Sequence, residues 1–484
     1  MSCSCTPGFD PNEIKQDVLN KINNHPCYSQ EAHQHYARIH VPVAPACNIQ
    51  CNYCNRKYDC SNESRPGVTS GRLKPMEALK KVLYVGGNIK QLSVVGIAGP
   101  GDALANPAKT FETFALMQEH APDLKLCLST NGLRLPEYID EIKKYNVDHV
   151  TVTINTVDES GEIGSLIYPW VHWEHKKIKG AEGAKLLLSK QLEGIRLLVE
   201  NGILVKANSV LIPGVNDQDL PNVAKKLKEM NVFLHNIMPL ISSPEFGTKF
   251  GLDGVPSATD EQVMAAQDAC GMDMTLMRHC RQCRADAVGL IGEDRGDEFT
   301  KEVFMDYELP KLKEIYDLDG RKKAFERIEL WRGALSEANQ KIKKEQATKS
   351  ELSSNGITKL VAVTSKGEGV INIHFGSANE FLIYEAGDLG IKFVMHRRVA
   401  SAYCQGSEGC DGSYPIEEIK ESLKDCDLLL TEKIGSCPMG ELQNINLICD
   451  ESYALQPIEK SVFEAVKKHF YENEQTNKLL SVCN

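Results

Sequence analysis

No apolar stretch of this 484-residue chain is long enough to span a bilayer. Its first residues, Met1–Asp10, lack the apolar core of a signal peptide. Positive charge is short: 55 basic against 66 acidic residues leave a net charge of −11, and no basic patch stands out. Nucleic acid is therefore not expected as a partner. A complete set of disulfides is excluded too, because the 17 cysteines are odd in number. These absences predict a cytoplasmic protein with no membrane partner. Its clustered thiols then serve metal or redox chemistry rather than cross-links. The length predicts two or three domains.

What is present is organised around Cys47-Asn48-Ile49-Gln50-Cys51-Asn52-Tyr53-Cys54. Three thiolates on one short loop can hold three irons of a [4Fe–4S] cube and leave the fourth iron open. An open iron suits an amino-carboxylate chelate. A structural zinc site is closed by four ligands and usually uses paired C-x2-C units, so zinc fits this spacing less well. The motif, with Tyr53 before its last cysteine, resembles the signature of the radical S-adenosylmethionine (SAM) family. That resemblance implies a [4Fe–4S] cluster whose open iron is chelated by SAM. It also implies one-electron cleavage of SAM to a 5'-deoxyadenosyl radical.

The surrounding chain alternates strands and helices. Strands are expected at Ile39–Val43, Leu92–Ala98, Leu124–Ser129, His149–Asn155, Leu204–Leu211 and Phe233–Leu240. Helices are expected at Pro75–Val85, Ala108–His120, Pro136–Tyr145, Ser189–Glu200, Asp217–Met230 and Thr259–Cys270. Six βα units predict an α/β fold, a partial (βα)6 TIM-like barrel, with a doubly wound open sheet as the competing architecture. Asp158–Gly183 interrupts the pattern and reads as a lid-like insertion or a plain surface excursion. Phe299 to about Lys349 reads as exposed helices, and Ser350–Gly356 as a linker. A small α/β unit follows, with strands at Lys359–Thr364, Phe381–Glu385, Asp427–Leu430 and Asn446–Cys449 and helices at Ile416–Leu423 and Ser461–Phe470. The expected divisions are 1–38 (arm and helix, with helices around Pro11–Asn23 and Ser29–Arg38), 39–298 (barrel), 299–356 (helices and linker), 357–472 (small domain) and 473–484 (tail).

Barrel function gathers at the carboxyl ends of strands. The second strand ends in Gly99-Pro100-Gly101-Asp102, the third in Ser129-Thr130-Asn131-Gly132, the fourth in Thr153-Ile154-Asn155, and the fifth runs on from Leu211. By analogy with radical SAM enzymes, Gly99, Gly101 and Asp102 are candidates for the SAM ammonium, although Asp102 departs from the usual glutamate and a plain turn competes. Ser129, Asn131, Thr153 and Asn155 are candidates for ribose or carboxylate, and the stretch at Leu211 for adenine. Further cysteines remain after the loop is assigned: Cys27, Cys60, Cys127, and the C-x2-C pair Cys280/Cys283. A lone buried cysteine is usually inert packing. Five together point to additional Fe–S clusters.

The segments His25-Pro26-Cys27, Asn48 to Cys60, Asn62 to Val68, Ala98 to Asp102 and Met277 to Gly289 resemble the NifB family of nitrogenase-cofactor maturases. Lys359–Phe470, with Ile373-His374-Phe375-Gly376, resembles the NifX-like, RNase-H-like carrier domain fused to many of them. The resemblance implies two further [4Fe–4S] clusters as substrates. They would be fused with a SAM-derived carbide and an added sulfur into the 8Fe–9S–C precursor of the FeMo cofactor. One SAM would donate the methyl group and a second would supply the radical.

Carried over, Cys47, Cys51 and Cys54 hold the SAM cluster, Cys280 and Cys283 one substrate cluster, and Cys27, Cys60 and Cys127 the other. His25 adds a nitrogen ligand, with His33 and His35 competing, and Cys270 is unplaced. Glu63 and Arg65 form an ion pair that positions clusters or moves protons, or is ordinary. Implied partners are Fe–S cluster donors, an electron donor such as ferredoxin, and downstream scaffold or carrier proteins. In the small domain, Cys404 and Cys410 flank a glycine-rich loop, a cluster cradle or merely structural, and the domain is expected to hold product. Competing functions are a different radical SAM enzyme with auxiliary clusters (peptide modification or methylthiolation) and a non-catalytic Fe–S carrier.

Overall fold

The computed structural model describes residues 21–22, 25, 28–29, 32, 34–62, 64–271, 275–277, 285–290, 295–349, 358–387, 390–399, 401–404 and 416–471, without side chains at 338–349 and 471. Cys27, Glu63, Cys280, Cys283 and Cys410, and most of the two N-terminal helices expected from sequence, lie outside the described residues. The chain forms two compact units, Met1–Phe325 and Glu326–Asn484.

In the first unit, β1 (Ala37–His40) and β2 (Ile49–Gln50) are followed by α1 (Pro75–Asn88), β3 (Leu92–Ile97), α2 (Pro107–His120) and β4 (Lys125–Thr130). Then come α3 (Ile139–Lys144), β5 (His149–Thr153), α4 (Glu162–Ile167), β6 (Trp170–Trp173), β7 (Lys176–Lys179) and α5 (Gly180–Glu200). The unit continues with β8 (Leu204–Leu211), α6 (Leu220–Glu229), β9 (Leu234–Pro239), α7 (Lys249–Leu252), α8 (Asp260–Gly271), β10 (Val288–Leu290), α9 (Lys301–Phe304) and α10 (Leu309–Tyr316). Helix α11 (Leu318–Lys349) carries the chain into the second unit.

Helix starts follow local chemistry. Proline opens α1 and α2, where its missing N–H costs nothing, and Glu77 accepts from the Lys74 N–H at 2.9 Å, satisfying one donor at the start of α1.

The main sheet runs β10-β1-β3-β4-β5-β8-β9. Its six strands from β1 to β9 are parallel and lie in chain order, and β10 closes the edge antiparallel to β1. A doubly wound sheet reverses its strand order at a switch point; this one does not, and it forms a partial barrel. Side chains alternate across each strand. Val150 and Val152 of β5 join the apolar core under the helices. His149, Thr151 and Thr153 between them are buried on the concave side, which is where a ligand would sit.

Four expectations change. The first strand ends at His40 rather than Val43, because Pro42 and Pro45 lack the N–H a ladder needs; Arg38 consequently belongs to a strand, not a helix. The insertion is ordered: β6 and β7 form a hairpin that adds to β2 in a three-stranded sheet. Helix α5 begins at Gly180, ahead of the expected Ser189, since tertiary packing overrides the poor helix propensity of Gly180 and Gly183. The helices after residue 299 are not all exposed, for Phe304, Leu312 and Tyr316 are buried in the main core.

The second unit has a five-stranded sheet ordered β13 (Gly390–Arg398), β12 (Glu380–Gly387), β11 (Thr358–Val363), β14 (Leu428–Leu430) and β15 (Ile448–Asp450). Only β12 runs against the others. With α12 (Ile416–Leu423), α13 (Ser436–Gln443) and α14 (Ile458–Val466), it encloses two apolar clusters. Strand β13 and helix α13 are additions to the sequence expectation.

Candidate functional site

The cysteine loop leaves β1, makes the two-residue strand β2, and turns back over the carboxyl ends of the barrel strands. Cys47, Cys51, Cys54 and Cys60 line one cleft of about 490 Å3, together with Gly101, Asp102, Ser129, Asn131 and Thr153 from the strand ends. The sequence expectation thus meets the structure at one place. Among the described residues, no three His, Cys, Asp or Glu side chains close on a single metal ion. Three thiols that each take a different corner of a cube need not converge on one point.

The loop is held from both sides. Beneath it, Gly101 N–H donates to Ala44 O at 2.7 Å and Asp102 N–H to Ala46 O at 2.6 Å. A Cβ on Gly101 would stand 2.1 Å from Ala46 O, so this glycine allows the strand-end loop to touch the cysteine loop rather than a ligand. Gly99 has φ +138° and makes a cis peptide to Pro100. Asp102 accepts from Leu104 N–H (2.9 Å), Asn131 N–H (2.5 Å) and the Thr130 hydroxyl (3.1 Å). Its carboxylate is therefore a staple between two strand ends. Burial raises its pKa, against those hydrogen bonds. The Asn131 amide donates to Asn48 Oδ1 at 2.7 Å and approaches Cys47 Sγ at 3.8 Å.

On the other side, Asn155 is 1% exposed. Its amide donates to the phenol oxygens of Tyr53 (2.7 Å) and Tyr168 (2.8 Å), and its carbonyl accepts from Val210 N–H (2.8 Å). Tyr53 passes its own proton to Asn62 Oδ1 at 2.7 Å. Asn155 and Tyr53 are thus braces of the loop, where sequence suggested ligand contacts. Leu211 points away: it sits in the core under the helices, while Val210 and Ile212 pack against Ile49, Cys51 and Tyr53. Strand alternation gives the reason, since adjacent residues face opposite sides. Ser129 and Thr153 stay in the cleft as expected.

Burial pushes the Cys47 thiol up to about 11, helped by the Asp102 carboxylate and partly offset by Arg56. Cys51 and Cys60 are raised further by burial and by their neighbouring thiols, and Cys54 is raised by burial. Bare, this group resists ionisation. Bound cationic iron inverts that preference, because a coordinating thiol is deprotonated outright. A donor set of clustered thiols in a cleft bounded by strand ends therefore fits a [4Fe–4S] cluster with SAM.

Cys127 lies deeper, 6% exposed on β4. Across the sheet its row reads His40, Gly96, Cys127, His149. A Cβ at Gly96 would lie 3.0 Å from Cys127 Sγ and 3.1 Å from His40 Nε2, so the bare glycine opens a gap that thiol and imidazole share. His25 packs edge-on against His149, centroids 4.7 Å apart. The His40 neighbourhood was missed in the sequence reading; its signal is the strand periodicity that puts His40 and Cys127 on one face. Arg65 is exposed and does not line the cleft.

Comparison with known proteins agrees with this geometry. Residues 41–227 match the radical SAM superfamily, and residues 358–468 match the dinitrogenase iron-molybdenum cofactor family. The chain is 52% identical over 459 residues to the FeMo cofactor biosynthesis protein NifB of Herbaspirillum seropedicae, covering 95% of this chain and 85% of that one. It is 50% identical over 463 residues to the NifB of Bradyrhizobium diazoefficiens (95% and 89% covered). Over 477 residues it is 47% identical to that of Azotobacter vinelandii (96% and 92% covered).

Proposed function

The chain belongs to the NifB family of FeMo cofactor biosynthesis proteins, and from that premise we propose that it fuses two [4Fe–4S] clusters, with a SAM-derived carbide and one added sulfur, into the 8Fe–9S–C precursor. The observation that carries the reading is the meeting of Cys47, Cys51, Cys54 and Cys60 with the ends of β3, β4 and β5 in one cleft. Held by Cys47, Cys51 and Cys54, a [4Fe–4S] cluster with SAM supplies one-electron cleavage of the sulfonium C–S bond.

The chain's own residues bind and orient. Ser129 and Thr153 offer hydroxyls to ribose or carboxylate. Asp102 and Gly101 fix the strand-end loop against the cysteine loop, and Asn155 fixes Tyr53. Cys60 and Cys127 hold substrate clusters with Cys27 and the Cys280/Cys283 pair. His40, beside Cys127, joins His25 as a nitrogen donor. Few, exchangeable ligands suit a cluster that must leave. Glu63, which follows the cleft-lining Asn62 in sequence, and Arg65 position clusters or move protons.

We assign an RNase-H-like fold to the second unit, on its strand order and its single reversed strand. Its role is to receive product: His374 Nδ1 accepts from Gly376 N–H at 3.0 Å, and Cys404 Sγ lies beside the same glycine.

The test is transfer of isotopic carbon from methyl-labelled SAM into an extractable iron–sulfur product, with release of both S-adenosylhomocysteine and 5'-deoxyadenosine. Label confined to a peptide or an RNA, or absence of both SAM products, overturns the reading.

A further inference from the structure

The hairpin β6–β7 is the outer cover of the cysteine loop. Ile49 pairs with Val171 and Gln50 with Trp170, and His172 N–H donates to Asn48 O at 2.7 Å. Val171 is fully buried in the same apolar cluster as Ile49, Cys51 and Tyr53, and Trp173 and Ile178 pack onto that cluster. The hairpin's inner face thus packs onto the apolar cluster that contains Cys51, with β6 lying between β2 and β7 in the sheet.

Strand β7, at the edge of this sheet, has a charge opposite to the chain's, with Lys177 and Lys179 on the face away from Ile178 and Lys176 exposed beside it. The protein carries −11 overall, yet β7 reads Lys176-Lys177-Ile178-Lys179, and all three lysines are exposed. Lys177 Nζ lies 4.1 Å from the centre of the Trp170 ring. Among the described residues none of the three is in an ion pair, whereas Lys190 nearby is neutralised by Glu193 at 2.8 Å. The single carboxylate within the hairpin is Glu174. Unneutralised positive charge on an acidic chain focuses a field that attracts an anionic partner and repels a basic one.

We propose that the Lys176–Lys179 strand is the docking surface for a small acidic iron–sulfur electron-carrier protein that reduces the cluster held by Cys47, Cys51 and Cys54. This rests on the radical SAM reading of the loop. Electron tunnelling weakens steeply with distance, so a donor must come close to the loop. A partner seated on β7 rests on the strand whose Ile178 packs onto the apolar cluster of Cys51. A plainer account of the lysines is that β7 is a sheet edge, and edge lysines prevent strand pairing with other molecules.

The experiment uses the full chain, iron-loaded, with an acidic 2[4Fe–4S] ferredoxin as probe. The triple variant Lys176→Glu/Lys177→Glu/Lys179→Glu is compared with the parent in ferredoxin affinity across salt concentrations. SAM cleavage is then driven by ferredoxin or by dithionite. The expected result is binding at least about tenfold weaker at low salt, converging with the parent near 1 M salt, where the Debye length is about 3 Å. Ferredoxin-driven cleavage falls in parallel while dithionite-driven cleavage is unchanged, and Glu174→Lys tightens binding. Unchanged ferredoxin affinity in the triple variant overturns the docking surface and leaves edge protection. Failure of dithionite-driven cleavage in the parent instead overturns the radical SAM reading.

Discussion

The Asn155 amide donates to the Tyr53 phenol at 2.7 Å, tying the end of a barrel strand to the residue before the last cysteine of the loop. Both groups are buried, so neither has water as an alternative partner. Asn155→Ala leaves two phenol oxygens and the Val210 N–H without this partner. The expected cost is about 2–4 kcal/mol, with lower iron retention in the loop. Thermal unfolding and iron counts after reconstitution check it; unchanged values would place the loop's support elsewhere.

Cys60 shares the cleft with the signature thiols, and Cys127 lies below them. Cys60→Ala and Cys127→Ala are expected to keep the SAM-responsive EPR signal and SAM cleavage while lowering bound iron by up to one cube. Cys54→Ala is expected to abolish both signals. Anaerobic iron analysis with EPR separates the two classes. Loss of SAM response in Cys127→Ala would contradict the division of ligands.

Much of the barrel was legible because β-branched and apolar strand segments alternate with helical periodicity along the chain; Leu204–Leu211 has the expected bounds. The hairpin Trp170–Lys179 was not, because its edge strand is mostly lysine and its partner β2 lies more than a hundred residues away in the chain. At the site, spacing revealed the thiols and the strand ends. Residue type alone did not reveal that Asp102 and Asn155 direct their polar atoms at protein groups. An Asn at a strand end reads the same whether it holds a ligand or a loop. The arm of Arg321 escaped notice for a similar reason, since a lysine- and glutamate-rich segment hides one buried guanidinium.

Arg321 is fully buried; its guanidinium bonds Asp123 at 2.8 Å, Leu92 O at 2.5 Å and Gly86 O at 3.0 Å. Arg321→Met takes the guanidinium from those carbonyls and leaves Asp123 with the Tyr316 hydroxyl, at an expected cost of about 3–5 kcal/mol. Arg321→Met/Asp123→Leu is expected to recover part of it. Chemical denaturation of the three proteins gives the coupling, and equal destabilisation by single and double variants would deny it.

His235 faces the helix layer, away from the cleft. Ser209 donates its proton to Ile154 O, so His235 Nε2–H is the donor to Ser209 Oγ, at 2.8 Å. Burial lowers its pKa to about 3 from 6.5. As pH falls below 6.5 the unfolded chain takes the proton first. Stability from this residue is complete above that pH and drains away toward pH 3, on the order of 5 kcal/mol in total. Urea midpoints at pH 7 and pH 4.5 test it: His235→Gln is expected to show the smaller acid loss, and an equal loss in both proteins refutes the assignment.

Among the described residues, the short strand Ile49–Gln50 finds its only sheet partner in Trp170–Val171. During synthesis, a ribosome-bound chain that has released the three signature thiols still lacks the hairpin that shapes them. The loop can take up this strand pairing only after the chain through Val171 has emerged, so its final shape is completed by residues more than a hundred positions further along.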